Sequence, residues 1–151
     1  MEKRTIISVC DHPELFAEVA QWQSSKWKVP MQAYLDSMEE GRTAESGVPA
    51  WYVVKNEVGQ IIAGIGVIEN DFHKSKELRP NVCALFVEPE YRRQGLGLAF
   101  LNLLEKKLAA ESITQLTLQV SSHNKTALSL YRKDGFDVLE CLNYHPLFEE
   151  V

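Results

Sequence analysis

Cysteine is scarce in this chain, and what there is follows no pattern. The 151 residues include three, Cys10, Cys83 and Cys141, which lack metal-ligand spacing and cannot all pair with one another. Cys83 and Cys141 lie inside apolar runs, where a thiol behaves as a small core side chain. Reduced cysteines in a cytoplasmic protein are therefore expected. Long hydrophobic runs are also missing. No stretch reaches the ~20 apolar residues of a membrane-spanning helix, and Met1-Glu2-Lys3-Arg4 leads into no signal-peptide core. Positive charge is in deficit as well, with a net charge of −5 and acidic residues spread along the chain. General nucleic-acid binding is disfavoured on that balance, and a cationic small substrate is weakly favoured. Repeats, low-complexity tracts and linkers are absent.

What remains is an ordinary globular composition, 45% hydrophobic and 25% charged, at a length that forms one domain with a real core. Residues 1–151 are thus expected to be a single domain. Arg4 to Cys10 reads as a strand, with Asp11 placed to cap a helix after Pro13 that carries Leu15, Phe16, Val19 and Trp22. Pro30 opens a second helix bearing Met31, Tyr34, Leu35 and Met38, and a polar connection runs from Gly41 to Pro49. Ala50 to Lys55 and Ile61 to Ile68 form a hairpin through Asn56-Glu57-Val58-Gly59-Gln60, with Gly64 and Gly66 marking a bulge or a close approach. A charged loop from Asp71 to Pro80 precedes a buried strand from Asn81 to Val87.

After that strand comes the most informative stretch, Glu88-Pro89-Glu90-Tyr91-Arg92-Arg93-Gln94-Gly95-Leu96-Gly97-Leu98. A helix then begins near Gly97, because Leu98, Leu101, Leu104 and Leu108 recur at its spacing. A helix start exposes unpaired N–H groups with partial positive charge, and glycine lets an anion approach that backbone. Strand, basic glycine loop and helix together make a pyrophosphate cradle. The loop lacks the third glycine of a dinucleotide fingerprint and the Gly-Lys-Ser/Thr of a P-loop. Farther on, Leu116, Leu118 and Val120 alternate as a strand, and Asn124 can cap a helix carrying Ala127, Leu130 and Tyr131. Gly135 can end that helix, and Phe136 to Leu142 makes a last strand. Strands alternating with helices argue for an α/β fold with one central sheet.

Arg92-x-x-Gly95-x-Gly97 resembles the acetyl-CoA signature of the GCN5-related N-acetyltransferase (GNAT) family. Asn124-x-x-Ala127-x-x-Leu130-Tyr131, followed by Gly135-Phe136, extends the resemblance over about Asn81 to Phe136. It implies a mixed central sheet splayed at the cofactor site, with helices on both faces. It implies that Leu85, Phe86 and Val87 contact the pantetheine, and that Arg92, Arg93, Gln94, Gly95, Leu96, Gly97 and Leu98 bind the pyrophosphate. Asn124 would bond to the pantetheine arm, Tyr131 would stand beside the thioester sulfur, and the Phe86 N–H would stabilise the tetrahedral intermediate.

The chemistry calls for such residues. A lysine-like amine, with pKa near ~10.4, must lose a proton before it attacks, and the CoA thiolate, near ~8.5 as a thiol, gains from receiving one. Tyr131 is the expected donor. The base is less defined: where the family often has a strand glutamate, this chain has Cys83 and Ala84. Glu77, His73, His123 and Glu69 are the alternatives, with Glu77 and His73 preferred; a relay through Cys83 is disfavoured by its apolar strand. Only fifteen residues follow Phe136, short for the usual two closing strands, so the expectation is that Tyr144 to Phe148 forms a stub, or that the last strand is missing or is completed by a partner chain, as in a homodimer. The expected activity is direct acetyl transfer from acetyl-CoA to the amine of a small molecule or peptide. A non-catalytic CoA-binding module and a purely structural interaction domain are the rival readings.

Overall fold

The computed structural model describes residues 4–45, 47–69, 80–111, 117–118 and 125–133. Strand β1 (Ile6–Ser8) is followed by helices α1 (Phe16–Trp27) and α2 (Met31–Thr43). The hairpin strands β2 (Ala50–Lys55) and β3 (Ile61–Ile68) come next, then β4 (Asn81–Val87), α3 (Leu96–Ala110), β5 (Thr117–Leu118) and α4 (Lys125–Lys133). In the sheet the strands keep chain order. Neighbours from β1 to β4 run antiparallel, and β5 runs parallel to β4, so the sheet is mixed.

Helices cover both faces of the sheet. Along β2, alternate side chains enter opposite cores. Trp51 and Val53 pack with Val9, Phe16, Val19, Ala20, Tyr34 and Met38 under α1 and α2. Tyr52 and Val54 pack with Phe100, Leu101, Leu104, Leu108 and Tyr131 under α3 and α4. A strand buried on both faces needs a continuous apolar run, which Ala50 to Val54 supplies. The turn between β2 and β3 is organised by Asn56, whose Oδ1 accepts from the N–H groups of Val58 and Gln60. Both hairpin strands have the limits expected from sequence.

Three expectations fail in the first third of the chain. The first strand ends at Ser8, because the chain turns in a 3₁₀ bend over Val9–Asp11 that drives Val9 and Cys10 into the α1/α2 core. Asp11 does not cap α1. Pro13–Leu15 forms a second 3₁₀ turn, α1 starts at Phe16, and its N-terminus carries no side-chain cap. The polar stretch after Gly41 begins as helix, since α2 runs on to Thr43.

The element that matters most is an irregularity in β4. Gly66 pairs with Cys83 and Gly64 with Phe86, so β4 spends one residue more than β3 over the same interval. The extra residue is accommodated by Ala84, at φ 54° in the left-handed region. The glycines of β3 leave room on that stretch. A Cβ on Gly66 would lie 2.5 Å from the Trp51 ring, a buried side chain that cannot retreat. We expect Gly66→Ala to cost about 1–3 kcal/mol, as overpacked cores do. Urea unfolding would measure it, and an unchanged midpoint would show that the Trp51 ring relocates freely.

Candidate active site

After β4 the chain leaves the sheet in an ordered way. The N–H of Glu88 donates to the carbonyl of Ile62 at 2.8 Å, closing the last rung with β3. A 3₁₀ turn over Pro89–Tyr91 follows, and then the glycine loop. Gly95 sits at φ 81° as the N-terminal cap of α3 and accepts the Ala99 N–H at 2.9 Å. No side chain caps this helix, so its first-turn N–H groups point outward without an intrahelical partner. Here the sequence reading and the structure coincide in position, with α3 starting one residue before Gly97.

Arg92 and Arg93 play different parts in this loop. The Arg92 Nε donates to the Val87 carbonyl at 2.8 Å, and its guanidinium lies 5.3 Å from the centre of the Phe86 ring. Arg92 thus ties the loop back onto the end of β4. Arg93 is exposed at φ 66°, a left-handed conformation that costs a non-glycine residue about 1–2 kcal/mol. Gln94 is exposed too, and its Oε1 accepts from Arg4 Nη1 at 2.9 Å. Leu96 packs at the margin of the α3/α4 core, whereas Leu98 is exposed at 39%. Gly97 stands where three elements converge: a Cβ there would meet Leu130 Cδ2 of α4 at 3.0 Å and Leu85 Cδ2 of β4 at 4.0 Å.

The bulge divides the roles of Leu85, Phe86 and Val87. Leu85 and Val87 pack toward α3 and α4. Phe86 faces the other way, edge-on to Trp22 at 5.9 Å and to Trp27 at 6.3 Å. Hydrogen-bonded pairs alternate along an antiparallel ladder, so the Glu88–Ile62 rung makes Phe86 and Gly64 the next bonded pair. The Phe86 N–H is therefore turned to β3, contrary to the expectation that it serves an intermediate. The backbone groups of Leu85 and Val87 face the opposite side, and Arg92 already uses the Val87 carbonyl there.

Tyr131 is buried in the α3/α4 core. Burial pushes its hydroxyl pKa up to about 12, and the Cys83 thiol acts in the same direction. At neutral pH this phenol holds its proton. Cys83 is half-buried and packed against the α1/α2 core. Residues 81–87 place no carboxylate or imidazole on β4.

Sequence reasoning missed a second group of residues. Glu88 receives both oxygens' worth of contact from Lys26 Nζ, at 2.8 and 3.0 Å, and a hydrogen bond from Trp22 Nε1 at 3.1 Å. Partial burial opposes ionisation of Glu88, but these donors and the nearby Arg92 charge hold its carboxyl below the usual range. Lys26 Nζ also lies 4.9 Å from the Phe86 ring centre. The available signal was Trp22 and Lys26 at i, i+4 on α1, a pair that shares one helix face. His73, Glu77, His123, Asn124 and Cys141, and the expected last strand, lie outside the described residues. Among the described residues no cluster of metal-ligating side chains occurs, and no helix is long and apolar enough to cross a membrane.

Known proteins share this architecture. AAC(6')-Iy in complex with a bisubstrate analogue, CoA-S-monomethyl-acetylneamine, superposes with a TM-score of 0.75 at 16% identity, covering 95% of this chain and 97% of that one. A protein from Clostridium acetobutylicum described as a predicted acetyltransferase, solved with acetyl-CoA, gives 0.65 at 18% identity, with 97% of each chain covered. In sequence, the [Ribosomal protein bS18]-alanine N-acetyltransferase of Escherichia coli K12 is 39% identical over 61 residues, 40% of this chain. The match spans 41% of that relative's length. The sequence pattern of the Acetyltransferase (GNAT) family fits residues 14–136, most of the chain, and the chain belongs to that family.

Proposed function

We propose that this protein is an acetyl-CoA-dependent N-acetyltransferase that acts on the primary amine of a small molecule or peptide. The observation that carries this reading is the sequence of a bulged β4, a glycine loop and an uncapped α3 N-terminus, with protonated Tyr131 on the same side of the sheet as Leu85 and Val87. The family membership and the CoA-bound structural neighbours support it.

The residues present fit CoA. The α3 N-terminus offers N–H donors to a diphosphate, and Gly95, with open space where a Cβ would stand, leaves the approach clear, while Gly97 lets α3 pack closely on Leu130 and Leu85. Leu85 and Val87 have the backbone orientation to pair with the pantetheine amides. The Leu85 N–H, rather than that of Phe86, is placed to donate to the carbonyl oxygen as it becomes negative. In the transfer itself the amine nitrogen bonds to the acetyl carbon and the carbon–sulfur bond breaks. The amine's proton leaves to water or a base, and the sulfur gains one, with Tyr131 donating a hydrogen bond to it. For the base we favour Glu77 or His73 through a water. Selection of the neutral amine is the alternative.

Calorimetry with acetyl-CoA, then acetyl transfer to a panel of amines, tests the whole reading. We expect CoA to bind and dephosphorylated pantetheine to bind far more weakly. Equal binding of the two would remove the diphosphate cradle. The lack of a carboxylate on β4 favours one other reading, a CoA-binding module without catalysis. It predicts binding with no transfer to any amine. If His73→Ala and Glu77→Gln both keep the acidic limb of the pH–rate profile, neither residue is the base.

A further inference from the structure

The glycine loop is held from outside by a residue ninety positions earlier in the chain. Arg4, just before β1, keeps only 19% of its side chain exposed, unusual for an arginine. Its guanidinium makes three separate contacts. Nη1 donates to Gln94 Oε1 at 2.9 Å, Nη2 donates to Glu57 Oε1 at 3.2 Å, and the group stacks 5.0 Å from the centre of the Tyr91 ring. Tyr91 is fixed in turn by Asn56, whose Nδ2 donates to the Tyr91 hydroxyl at 3.1 Å. Asn56 also organises the β2–β3 turn. Arg4 therefore bridges three elements: the edge strand, the hairpin turn and the loop between β4 and α3.

The loop needs such support. It contains two residues in the left-handed region, Arg93 at φ 66° and Gly95 at φ 81°. Its backbone N–H groups can bind an anion well only if they are already arranged, because ordering the loop upon binding would subtract from affinity. A planar guanidinium can fork to two acceptors while stacking on a ring, which an ammonium cannot do. We propose that Arg4 is a positioning residue for cofactor binding: it locks the Tyr91–Gln94 segment so that the α3 N-terminus meets a diphosphate already formed for it. This rests on the CoA reading given above. The role is exerted through Gln94 and Tyr91 and involves no contact with substrate.

The test uses the full-length protein with CoA, acetyl-CoA and S-acetylpantetheine, which lacks the diphosphate. Arg4→Ala should raise the Kd for CoA and the KM for acetyl-CoA about tenfold, with kcat within about twofold of wild type. Its kcat/KM with S-acetylpantetheine should not change. Arg4→Lys, which keeps the charge but not the fork, should be almost as weak as Arg4→Ala. Arg4→Ala combined with Gln94→Ala should be no worse than the weaker single variant, since the two form one link. Wild-type CoA affinity in Arg4→Ala overturns the proposal. So does an equal loss with S-acetylpantetheine, which marks general damage, or full rescue by lysine, which marks simple charge attraction. Failure of the wild-type protein to bind CoA would instead overturn the functional reading beneath it.

Discussion

Gly97→Glu should eliminate measurable acetyl-CoA binding in a protein that still folds. The structure changes the reason that the sequence suggests. A Cβ at residue 97 does not project into open solvent beside the loop. It would press on Leu130 Cδ2 at 3.0 Å and approach Leu85 Cδ2 at 4.0 Å, where α3, α4 and β4 meet. A glutamate side chain must pass either between those leucines, beside the backbone of Leu85 proposed to meet the pantetheine, or back over the first turn of α3. On the second path it occupies the anion site with its own carboxylate. Two unit charges about 5 Å apart at an effective dielectric of about 20 repel by about 3 kcal/mol. That alone weakens binding by more than about a hundredfold. Folding should survive, because Leu130 ends in a flexible methyl and an acidic group suits a helix N-terminus. Gly97→Ala, which brings the same Cβ without charge, should lose less than about tenfold. Calorimetry on both variants, with urea unfolding as a control for the fold, separates packing from charge. Wild-type affinity in Gly97→Glu would mean that the diphosphate does not sit at this helix.

How far the sequence revealed this site depends on how local each feature is. The β2–β3 hairpin was legible to the residue, because its strands are continuous β-rich apolar runs and Asn56 with Gly59 defines the turn. The limits of β4 and the start of α3 were legible for the same reason: proline and glycine punctuate them. From the residues themselves the bulge was foreseen through its partner, Gly64 and Gly66 in β3, and the family resemblance implied a sheet splayed there. The left-handed residue is Ala84 in β4, to which alanine gives no clue. Nor could the amide direction of Phe86 be read from sequence, since it depends on the rung count from Glu88 back across the bulge. Asp11 looked like a cap because capping is a local rule, and the burial of Val9 and Cys10 overrode it. The contacts of Arg4 with Gln94 and of Lys26 with Glu88 span 90 and 62 residues. Each joins ordinary surface residue types, so only the assembled sheet brings them into view.

Tyr131→Phe should leave acetyl-CoA affinity almost unchanged and lower kcat by about 10- to 150-fold. The size follows from the state of the hydroxyl. Burial, with Cys83 adding to it, pushes the Tyr131 pKa up to about 12, whereas a leaving thiol is near ~8.5. Complete proton transfer to the sulfur is then uphill by roughly 3 to 4 pKa units, about 5 kcal/mol. In the proposed mechanism Tyr131 would therefore act chiefly by donating a hydrogen bond to the developing thiolate, with the proton replaced from solvent. A hydrogen bond to a charged group contributes about 1.5–3 kcal/mol, which is the stated range of kcat. The pH dependence has a definite sign. Because the folded pKa is above the ordinary ~10, the neutral phenol is favoured by the fold. Its contribution to stability is intact below pH ~10 and is lost as pH rises from there through about 12. Tyr52, likewise pushed up to about 12 by burial first, behaves the same way. Consequently the ratio of wild-type to variant kcat should be flat from pH 6 to 9, and alkaline unfolding should be blunted in Tyr131→Phe. Acetyl thioesters with more acidic leaving thiols offer a sharper check, because a thiolate that needs less help should narrow the gap between the two proteins. If single-turnover rates show chemistry to be limiting and the gap is absent with every thioester, Tyr131 serves packing alone and the sulfur takes its proton from water.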